Sequence, residues 1–315
     1  MSDTQEKDSR PIRQVPGRVD YALLVALSLL FGISFTLTGI AVSELPPITV
    51  AAGRLTIAFL MLYPLMRLSG YRMPPIGPVW GLLFASAFFG YALPFAMISW
   101  GQVEVAAGLT AIFMAIMPLA TITLAHVFTA DEKLDRWKVF GVLFGLAGVV
   151  ILIGPGSLKS LGDELLRQVV ILGGAFSYAI NAILTRRLVH LSRWSVVTAL
   201  MLAASVLLLP ASLALEHPWT FQPSFASLAA IGGLAVAPTA AATVLILVIV
   251  GRQGASFLSQ INFMVPVFGM LFGVFLLGEQ LPTTAYIALL VILSGITLSR
   301  VGQRIQSKTG RNRNQ

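Results

Sequence analysis

Long apolar segments separated by short polar ones run along the whole chain. Ten of them are long enough, at about 20 residues, to cross the hydrocarbon core of a bilayer as helices. Their predicted bounds are Tyr21–Val42, Ile48–Met66, Val79–Ser99, Val105–Val127, Trp137–Ile153, Val169–Thr185, Ser195–Leu215, Phe225–Val250, Ala255–Leu277 and Leu281–Ser299. The pattern predicts an all-α polytopic membrane protein without a separate water-soluble domain. The first span is too long for a typical signal-peptide core and is expected to remain uncleaved.

Composition supports a membrane protein and excludes several kinds of chemistry. Of the 315 residues, 57% are hydrophobic and 11% are charged, whereas soluble domains carry about 25% charged residues. Without cysteine, the chain has no disulfide, thiolate metal site or cysteine nucleophile. It contains no G-x-x-x-x-G-K loop and no H-E-x-x-H motif, and the spans lack the acid pairs of intramembrane enzymes. We therefore expect neither an ATP-driven pump nor an enzyme, and no cofactor.

Basic residues are distributed unevenly between the two sides of the predicted bundle. Of the 21 Lys and Arg residues, 18 lie in the two tails or in every second loop. The exceptions are Arg54, Lys159 and Arg167. Cytoplasmic loops carry the excess of basic residues, so we expect a bacterial inner (plasma) membrane protein with both termini in the cytoplasm. The net charge of +8 is dispersed over short segments near lipid headgroups. This distribution argues against a nucleic-acid partner.

An internal repeat relates the two halves of the chain. The matched pairs, each 147 or 148 residues apart, are Ala107 with Ala255, Pro118 with Pro266, Glu132 with Glu279, and Gly148 with Gly295. The predicted organisation is a tail over 1–20, a five-helix repeat over 21–154, an extracytoplasmic connection over 155–168, a second five-helix repeat over 169–301, and a basic tail over 302–315. Because five is odd, the second half enters the membrane from the opposite side. Inverted repeats around a central cavity are typical of secondary transporters that work by alternating access.

These features together resemble the EamA-type transporters of the drug/metabolite transporter superfamily. The matching motifs are the Pro47-to-Arg54 spacing, the paired Pro118 and Pro266, the small-residue fifth and tenth spans, and the turns Glu132-x-Leu134 and Glu279-x-Leu281. The resemblance covers nearly the whole chain, from about Val19 to Val301. It implies ten helices around a central cavity and the movement of small metabolites, in bacteria commonly the export of amino acids or related compounds. It names no single substrate.

Arg54 is the one charged residue well inside a predicted span. It lies about 9 Å from the start of its helix, at about 1.5 Å per residue, where a charge faces protein or water instead of lipid. It is a candidate partner for a carboxylate or phosphate at the outer mouth of the cavity. Its alternatives are an ion pair with Glu44 or Glu104, or a side chain that snorkels to the interface.

The 13 Asp and Glu residues lie in tails, loops or helix ends. Proton-coupled carriers usually place a carboxylate or histidine inside the membrane. We therefore predict facilitated diffusion, or coupling through the substrate itself, without a buried carboxylate that switches between protonation states.

Polar residues at mid-span depth are further candidate substrate contacts. They are Ser34, Thr38, Tyr91, Tyr178, Asn181, Thr243, Gln260 and Asn262, together with Trp100 at the outer end of its span. In the repeat, Gln260 and Asn262 align with the apolar Ile112 and Met114, so the second half offers amides where the first is apolar. That asymmetry suits a ligand with one polar and one apolar end. The alternative is hydrogen bonding between helices, at about 0.6 kcal/mol per contact.

Prolines and glycines mark irregular or closely packed spans. Four prolines lie deep in spans, namely Pro94, Pro118, Pro238 and Pro266. Each removes a backbone donor and kinks its helix, so they are predicted hinges or cavity kinks, with plain packing kinks as the alternative. Glycine stripes at Gly141-x-x-x-Gly145-x-x-Gly148 and Gly269-x-x-x-Gly273 predict close helix approach, within the bundle or at a dimer seam.

Two transport hypotheses remain. The first is a secondary transporter that exports amino acids or related amphipathic compounds. The second is an importer or exchanger of sugars, nucleotide precursors or drugs. The lack of a carboxylate in the spans disfavours organic cations, and an inverted repeat within one chain disfavours a channel. The expected partners are a small-molecule substrate and the lipid bilayer, for a chain that is a monomer or a homodimer.

Overall fold

The computed structural model describes the backbone of residues 16–128, 135–160 and 163–313, and the side chains of 16–128, 135–154 and 164–300. These residues form helices and turns without a strand. Ten of the described helices are long and apolar enough to cross a membrane. They are α1 (Arg18–Val42), α2 (Pro47–Leu68), α3 (Val79–Gly101), α4 (Ala107–Phe128), α5 (Arg136–Gly154), α6 (Glu164–Leu188), α7 (Arg193–Leu215), α8 (Phe225–Gln253), α9 (Ala255–Leu277) and α10 (Thr283–Arg300). The prediction of ten spans is confirmed.

Successive spans begin at opposite ends of the bundle because each crosses it once. One end, which we call the basic end, carries the start of α1, the end of α10, and Arg67, Arg193 and Arg252. The other, which we call the acidic end, carries Glu44, Glu104, Glu216 and Glu279. The chain thus has two chemically different ends.

The two halves interdigitate instead of packing as separate bodies. Repeat-equivalent spans pack on one another, α2 on α7, α4 on α9 and α5 on α10. The equivalent first spans of the two halves make corresponding contacts: α1 packs on α8 and α9, and α6 packs on α3 and α4. One apolar cluster around Leu62 and Met201 joins α2, α3, α7 and α8. A second, around Phe113 and Ile292, joins α4, α5, α6, α9 and α10.

The glycine stripes bring helices of opposite halves together. A Cβ atom built on Gly141 would lie 2.6 Å from the carbonyl oxygen of Gly295, and one on Gly269 would lie 2.5 Å from the Cβ of Ala111. Larger residues there would push α5 from α10 and α9 from α4. These glycines therefore serve packing within the chain, and the dimer-seam alternative for them is wrong.

Two segments outside the predicted repeats are helical. The segment expected as a connection over 155–168 is largely helical, because the helix of α5 continues to Ser160 beyond a kink at Gly154 (φ 74°) and the next helix begins at Asp163. The segment expected as a tail over 302–315 continues the helix of α10 to Arg313. Most residues of both segments are compatible with a helix. The turn Glu132-x-Leu134 lies outside the described residues.

The third and fourth spans of each half are irregular. α3 contains a π-helical segment at Phe88–Ala92, and α8 contains one at Val236–Ala241. Pro94 follows the first segment and Pro238 lies in the second, and π turns accommodate the backbone bond that a proline cannot make. α4 is interrupted at residues 115–116 and α9 at 259–260. Pro118 follows its break directly, whereas Pro266 lies one to two turns past its break, in continuous helix.

Candidate functional site

A cavity of about 370 Å³ lies at the centre of the bundle. Its lining comes from α1, α2, α3 and α4 of the first half and from α6, α8 and α9 of the second. Small-molecule sites in proteins usually measure about 300–1,000 Å³. The cavity between the repeats is therefore large enough for a small metabolite.

Arg54 of α2 is held in the wall of this cavity by both halves of the chain. Its Nε donates to Oγ1 of Thr239 (2.7 Å) and its Nη1 donates to Oγ of Ser34 (3.1 Å). Its guanidinium carbon lies 3.9 Å from the centroid of the Phe95 ring, a cation–π contact. The side chain is only 7% exposed. Within the described residues Nη2 makes no hydrogen bond.

Two repeat-equivalent dipeptides carry the partners of Arg54. Pro94-Phe95 and Pro238-Thr239 are 144 residues apart, and each adjoins or lies within the π-helical segment of its span. The hydroxyl of Thr239 donates to the carbonyl of Leu234 (2.8 Å), five residues earlier, which leaves its oxygen to accept from Arg54. The π segments of α3 and α8 therefore position one aromatic and one hydroxyl side chain against the same guanidinium.

Aromatic rings and amides complete the cavity wall. Tyr91 and Tyr178 both meet the Phe95 ring edge-on, at centroid distances of 5.9 and 6.4 Å. Asn181 lies against Gly90, where a built Cβ would approach its Nδ2 to 2.3 Å. Asn262 of α9 also lines the cavity. The side-chain amides of both asparagines make no hydrogen bond to the rest of the described chain.

Most of the predicted site residues come together around this cavity. Those that line it are Ser34, Thr38, Arg54, Tyr91, Tyr178, Asn181, Thr243, Asn262, Pro118, Pro238 and Pro266. Their contact with substrate stays a prediction. The alternatives for Arg54 are wrong, since it is buried and Glu44 and Glu104 have other partners.

Three predicted residues do not line the cavity. Trp100 lies at the acidic end, where its ring faces the guanidinium of Arg167 at 4.4 Å, because five residues past Phe95 the helix has turned by about 140°. Gln260 falls in the break of α9 and precedes Asn262 by two residues, which places it on the other side of the helix. Pro94 is buried, with its carbonyl oxygen near Gly174 of α6.

Several lining residues were missed by reasoning from the sequence. They are chiefly apolar, and include Phe31, Phe35, Met114 and Met117. The spacing of Phe31 and Phe35 with Ser34 and Thr38 on one face of α1 was an available signal. For Thr239, the hydroxyl partner of Arg54, the one signal in the sequence was its position directly after the mid-span Pro238.

Four carboxylates at the acidic end each bind the opposite half of the chain, and we call these contacts the acidic-end seam. Glu279 accepts from the N–H groups of Ala107 (2.6 Å) and Gly108 (2.8 Å), and Glu216 accepts from those of Ile48 (2.9 Å) and Thr49 (2.6 Å). Both thus cap helices, α4 and α2, that have no side-chain cap of their own. Carboxylates at a helix N-terminus are favoured by its unpaired N–H groups and its dipole.

The other two seam carboxylates have similar roles. Glu44 accepts from the N–H of Ser224 (2.7 Å) and the hydroxyl of Ser227 (2.8 Å) at the start of α8. The N–H of Ser224, more than the serine hydroxyls, holds the pKa of Glu44 below its ordinary value of 4.5. Glu104 forms an ion pair with Arg167 at 2.9 Å.

The two ends of the cavity are packed differently. At the acidic end, α4 and α9 cross where Gly108 meets Gly273, and the Gly108 nitrogen lies 2.8 Å from where a Cβ on Gly273 would be. At the basic end, the second segment of α4 (Met117–Phe128) packs on α5 and α6 and makes no comparable contact with the described residues of α9. Asp20 there binds Arg252 and Gln253 (2.7 and 2.8 Å).

No group of three His, Asp or Glu side chains among the described residues is placed to hold a metal ion. The lining of the cavity contributes one cation, hydroxyls, amides and apolar groups. Such a set can bind and orient a small molecule.

Comparisons with known proteins agree with this architecture. The chain is 27% identical over 289 residues to the Escherichia coli K12 protein named uncharacterized inner membrane transporter YedA, covering 90% of this chain and 91% of that protein. It is 23% identical to the uncharacterized transporter YoaV of Bacillus subtilis, covering 88% and 94%. A solved crystal structure superposes with a TM-score of 0.65 at 18% identity, covering 90% of this chain and 97% of that one, which shows a shared fold.

The family comparison finds the repeat independently. The profile described as the EamA-like transporter family matches the chain twice, over residues 20–154 and 166–301. Together with the ten spans and the interdigitated halves, this double match makes the chain an integral membrane protein with two inverted repeats. The chain belongs to the EamA-like transporter family, and it is a membrane transporter.

Proposed function

We propose that this transporter exports amino acids or related amphipathic metabolites by alternating access. The observation that carries the proposal is the central cavity between two inverted halves, with α4 and α9 crossing closely at the acidic end. Its wall has a polar part at Arg54, Asn181 and Asn262 and an apolar part of phenylalanine and methionine side chains. This division matches a metabolite with a polar head and an apolar body, and it disfavours sugars, which need many polar contacts.

The repeat supports a second conformation in which the basic end is closed. The small residues that meet at the acidic end are Gly108 and Ala111 of α4 and Gly269 and Gly273 of α9. Their repeat equivalents, 148 residues away, are Ser256, Ser259, Thr121 and Ala125. These are also small, so the two helices have room to form the mirrored crossing at the basic end. Exchange between the two crossings would expose the cavity to each side in turn.

The charge asymmetry of the ends supports an orientation. Basic residues concentrate on the cytoplasmic side of membrane proteins, which supports an inner-membrane protein with both termini and the basic end facing the cytoplasm. The inner-membrane name of the relative YedA agrees with this assignment. In that orientation the α4–α9 crossing lies on the outer side of the cavity, which supports loading of the substrate from the cytoplasm.

A resistance screen tests the proposed function. Cells that overproduce the protein are challenged with toxic analogues of amino acids, and the purified protein in liposomes is then assayed for efflux of the matching amino acid. We expect resistance that Asn181→Ala and Asn262→Ala lower at least severalfold while the protein remains in the membrane. Gln260→Ala, an amide of the same span outside the cavity, is the matched control. Full activity of both asparagine variants would refute this site, and no efflux of any tested amino acid or related amphipathic metabolite would refute the function.

A further inference from the structure

We infer that the cavity takes its substrate as a net anion, an amphipathic monocarboxylate without an amine, and that the membrane potential drives this anion out of the cell. The inference rests on the proposed export function and specifies its substrate class and its driving force. It depends on the charges around Arg54, on the donors that Arg54 leaves unused, and on the absence of a partner for an ammonium group.

Arg54 is the single charged side chain among the described residues that line the cavity. The hydroxyls of Tyr91 and Tyr178 are uncharged at neutral pH. The two carboxylates that the sequence offers as partners, Glu44 and Glu104, are engaged in the acidic-end seam with Ser224 and Arg167. A buried cation without a counterion is unfavourable. The empty cavity therefore carries one uncompensated positive charge, which an anionic ligand neutralises.

The donors of Arg54 are arranged so that a carboxylate can use them. Neutral hydroxyls of Thr239 and Ser34 occupy Nε and one N–H of Nη1, and the ring of Phe95 covers a face of the guanidinium. The second N–H of Nη1 and both N–H groups of Nη2 have no acceptor in the part of the chain that the structure describes. Arginine binds carboxylates through paired parallel N–H donors. The unused donors match one carboxylate group.

An ammonium group has no counterpart in the same cavity. The polar groups that remain for a ligand are the amides of Asn181 and Asn262 and hydroxyls such as that of Thr243. These are neutral, so the carboxylate of a zwitterionic amino acid would pair with Arg54 while its ammonium group would be left with dipoles alone, in a complex of net charge +1. A monocarboxylate gives a neutral complex. The expected order of affinity is therefore carboxylate first, zwitterion second and amine last.

The same charge balance determines the driving force. Among the described lining residues no carboxylate or histidine can accept a proton in exchange for the substrate. Each transport event then moves one negative charge, and an inside-negative potential favours its exit. Export follows from the charge of the substrate, without a coupling ion.

A matched series of three probes tests the substrate class by binding to the purified protein. The probes are 3-phenylpropionate, phenylalanine and phenethylamine, which share a phenylethyl body and carry a carboxylate, both groups, or an amine. We expect 3-phenylpropionate to bind at least about tenfold more tightly than phenylalanine, with phenethylamine weakest. Arg54→Gln should abolish this order, Arg54→Lys should keep part of it, and Gln260→Ala should leave it intact. Equal or tighter binding of phenylalanine than of 3-phenylpropionate by the unaltered protein would overturn the inference. This comparison does not depend on whether any variant folds.

Efflux under a defined potential tests the driving force. Proteoliposomes are loaded with potassium and 3-phenylpropionate and placed in a buffer with a tenfold lower potassium concentration. Valinomycin then lets potassium leave, which makes the interior negative. We expect the anion to approach a tenfold ratio of outside to inside concentration, and phenylalanine to show no such response. Efflux of phenylalanine alone would overturn the inference and leave amino-acid export standing. Transport of none of the probes would overturn the inference, and the resistance screen decides the proposed function separately.

Discussion

At the scale of single residues, the cavity depends on a few close fits between the halves. Arg54 is positioned by Ser34 of its own half and by Thr239, which lies 185 residues away in the chain. Asn181 depends equally on Gly90, since a built Cβ at that position would lie 2.3 Å from Nδ2 and 2.5 Å from Cγ of the asparagine. The absence of a side chain at Gly90 is therefore what lets the amide of Asn181 lie where it does.

Gly90→Ala is expected to displace Asn181 and to reduce transport strongly, with a small effect on stability. The asparagine side chain can move away from the added methyl group, and alanine is a better helix former than glycine by about 0.5–1 kcal/mol. Transport in liposomes and thermal unfolding in detergent measure the two effects. Gly81→Ala in the same span is the control, because a Cβ there meets nothing within 4 Å. Unchanged transport by Gly90→Ala would contradict a functional position for Asn181.

At the scale of elements, the ends of helices are where the two halves hold each other. α2 and α4 begin without a side-chain cap of their own and obtain one from Glu216 and Glu279 of the other half. Their first turns therefore depend on the relative position of the halves. A conformational change that separates the halves at the acidic end must break these caps.

Glu279→Gln is expected to favour opening of the acidic end. The amide loses the charge and one acceptor oxygen, so the two N–H groups of Ala107 and Gly108 no longer share a carboxylate, at a cost of about 1 kcal/mol. The chain has no cysteine, so Thr38→Cys in the cavity is a clean reporter for an impermeant maleimide. Its labelling from outside intact cells should rise severalfold in the Glu279→Gln background. Glu164→Gln is the control, because Glu164 binds Gln168 within its own helix.

The contact of Glu44 predicts a defined pH dependence. Hydrogen bonds from Ser224 lower its pKa in the folded protein, so the contact stabilises the fold at pH values above the ordinary value of 4.5 and is lost as the pH falls through the lowered pKa. The wild type should therefore be more stable than Glu44→Gln by a constant amount from pH 6 to 8, and the two thermal unfolding temperatures should converge as the pH falls through the lowered pKa. A difference that persists at the lowest pH would contradict this role of the charge.

At the scale of the whole molecule, the two ends differ in charge and in packing, although the halves share one architecture. The acidic end holds the α4–α9 crossing and four cross-half carboxylates, whereas the basic end holds the cross-half contact of Asp20 with Arg252 and Gln253. An inverted repeat would otherwise make the two ends equivalent.

The orientation of the bundle is open to direct measurement. Tyr71, between α2 and α3, and Trp219, between α7 and α8, are exposed at opposite ends, by 41% and 66%. We expect an impermeant maleimide to label Trp219→Cys and to spare Tyr71→Cys in intact cells, because basic loops stay in the cytoplasm. Both should react after the cells are lysed. The reverse pattern would invert the orientation and, with it, the proposed direction of loading.

Much of the fold and part of the site could be predicted from the sequence. A span must bury its backbone bonds and match the bilayer, so each apolar segment reveals its helix without knowledge of its neighbours. The same constraint makes a lone charge such as Arg54 conspicuous. Helical phase was harder to predict, because the π-helical segment in α3 and the break in α9 rotate the residues after them. Trp100 and Gln260 do not line the cavity, since Trp100 lies about 140° round its helix from Phe95 and Gln260 lies in the break of α9 itself.

The sequence by itself determined the ten spans, their repeat and the uneven charge of the two ends, since each follows from the energetics of a chain in a bilayer. Only the tertiary structure decided which side chains face the cavity and which groups meet across the halves. Thr239 and Phe95 reach Arg54, and Glu279 reaches α4, through contacts between residues far apart in the chain. Such contacts depend on which helices meet and at what depth, and the sequence of neither partner records that pairing.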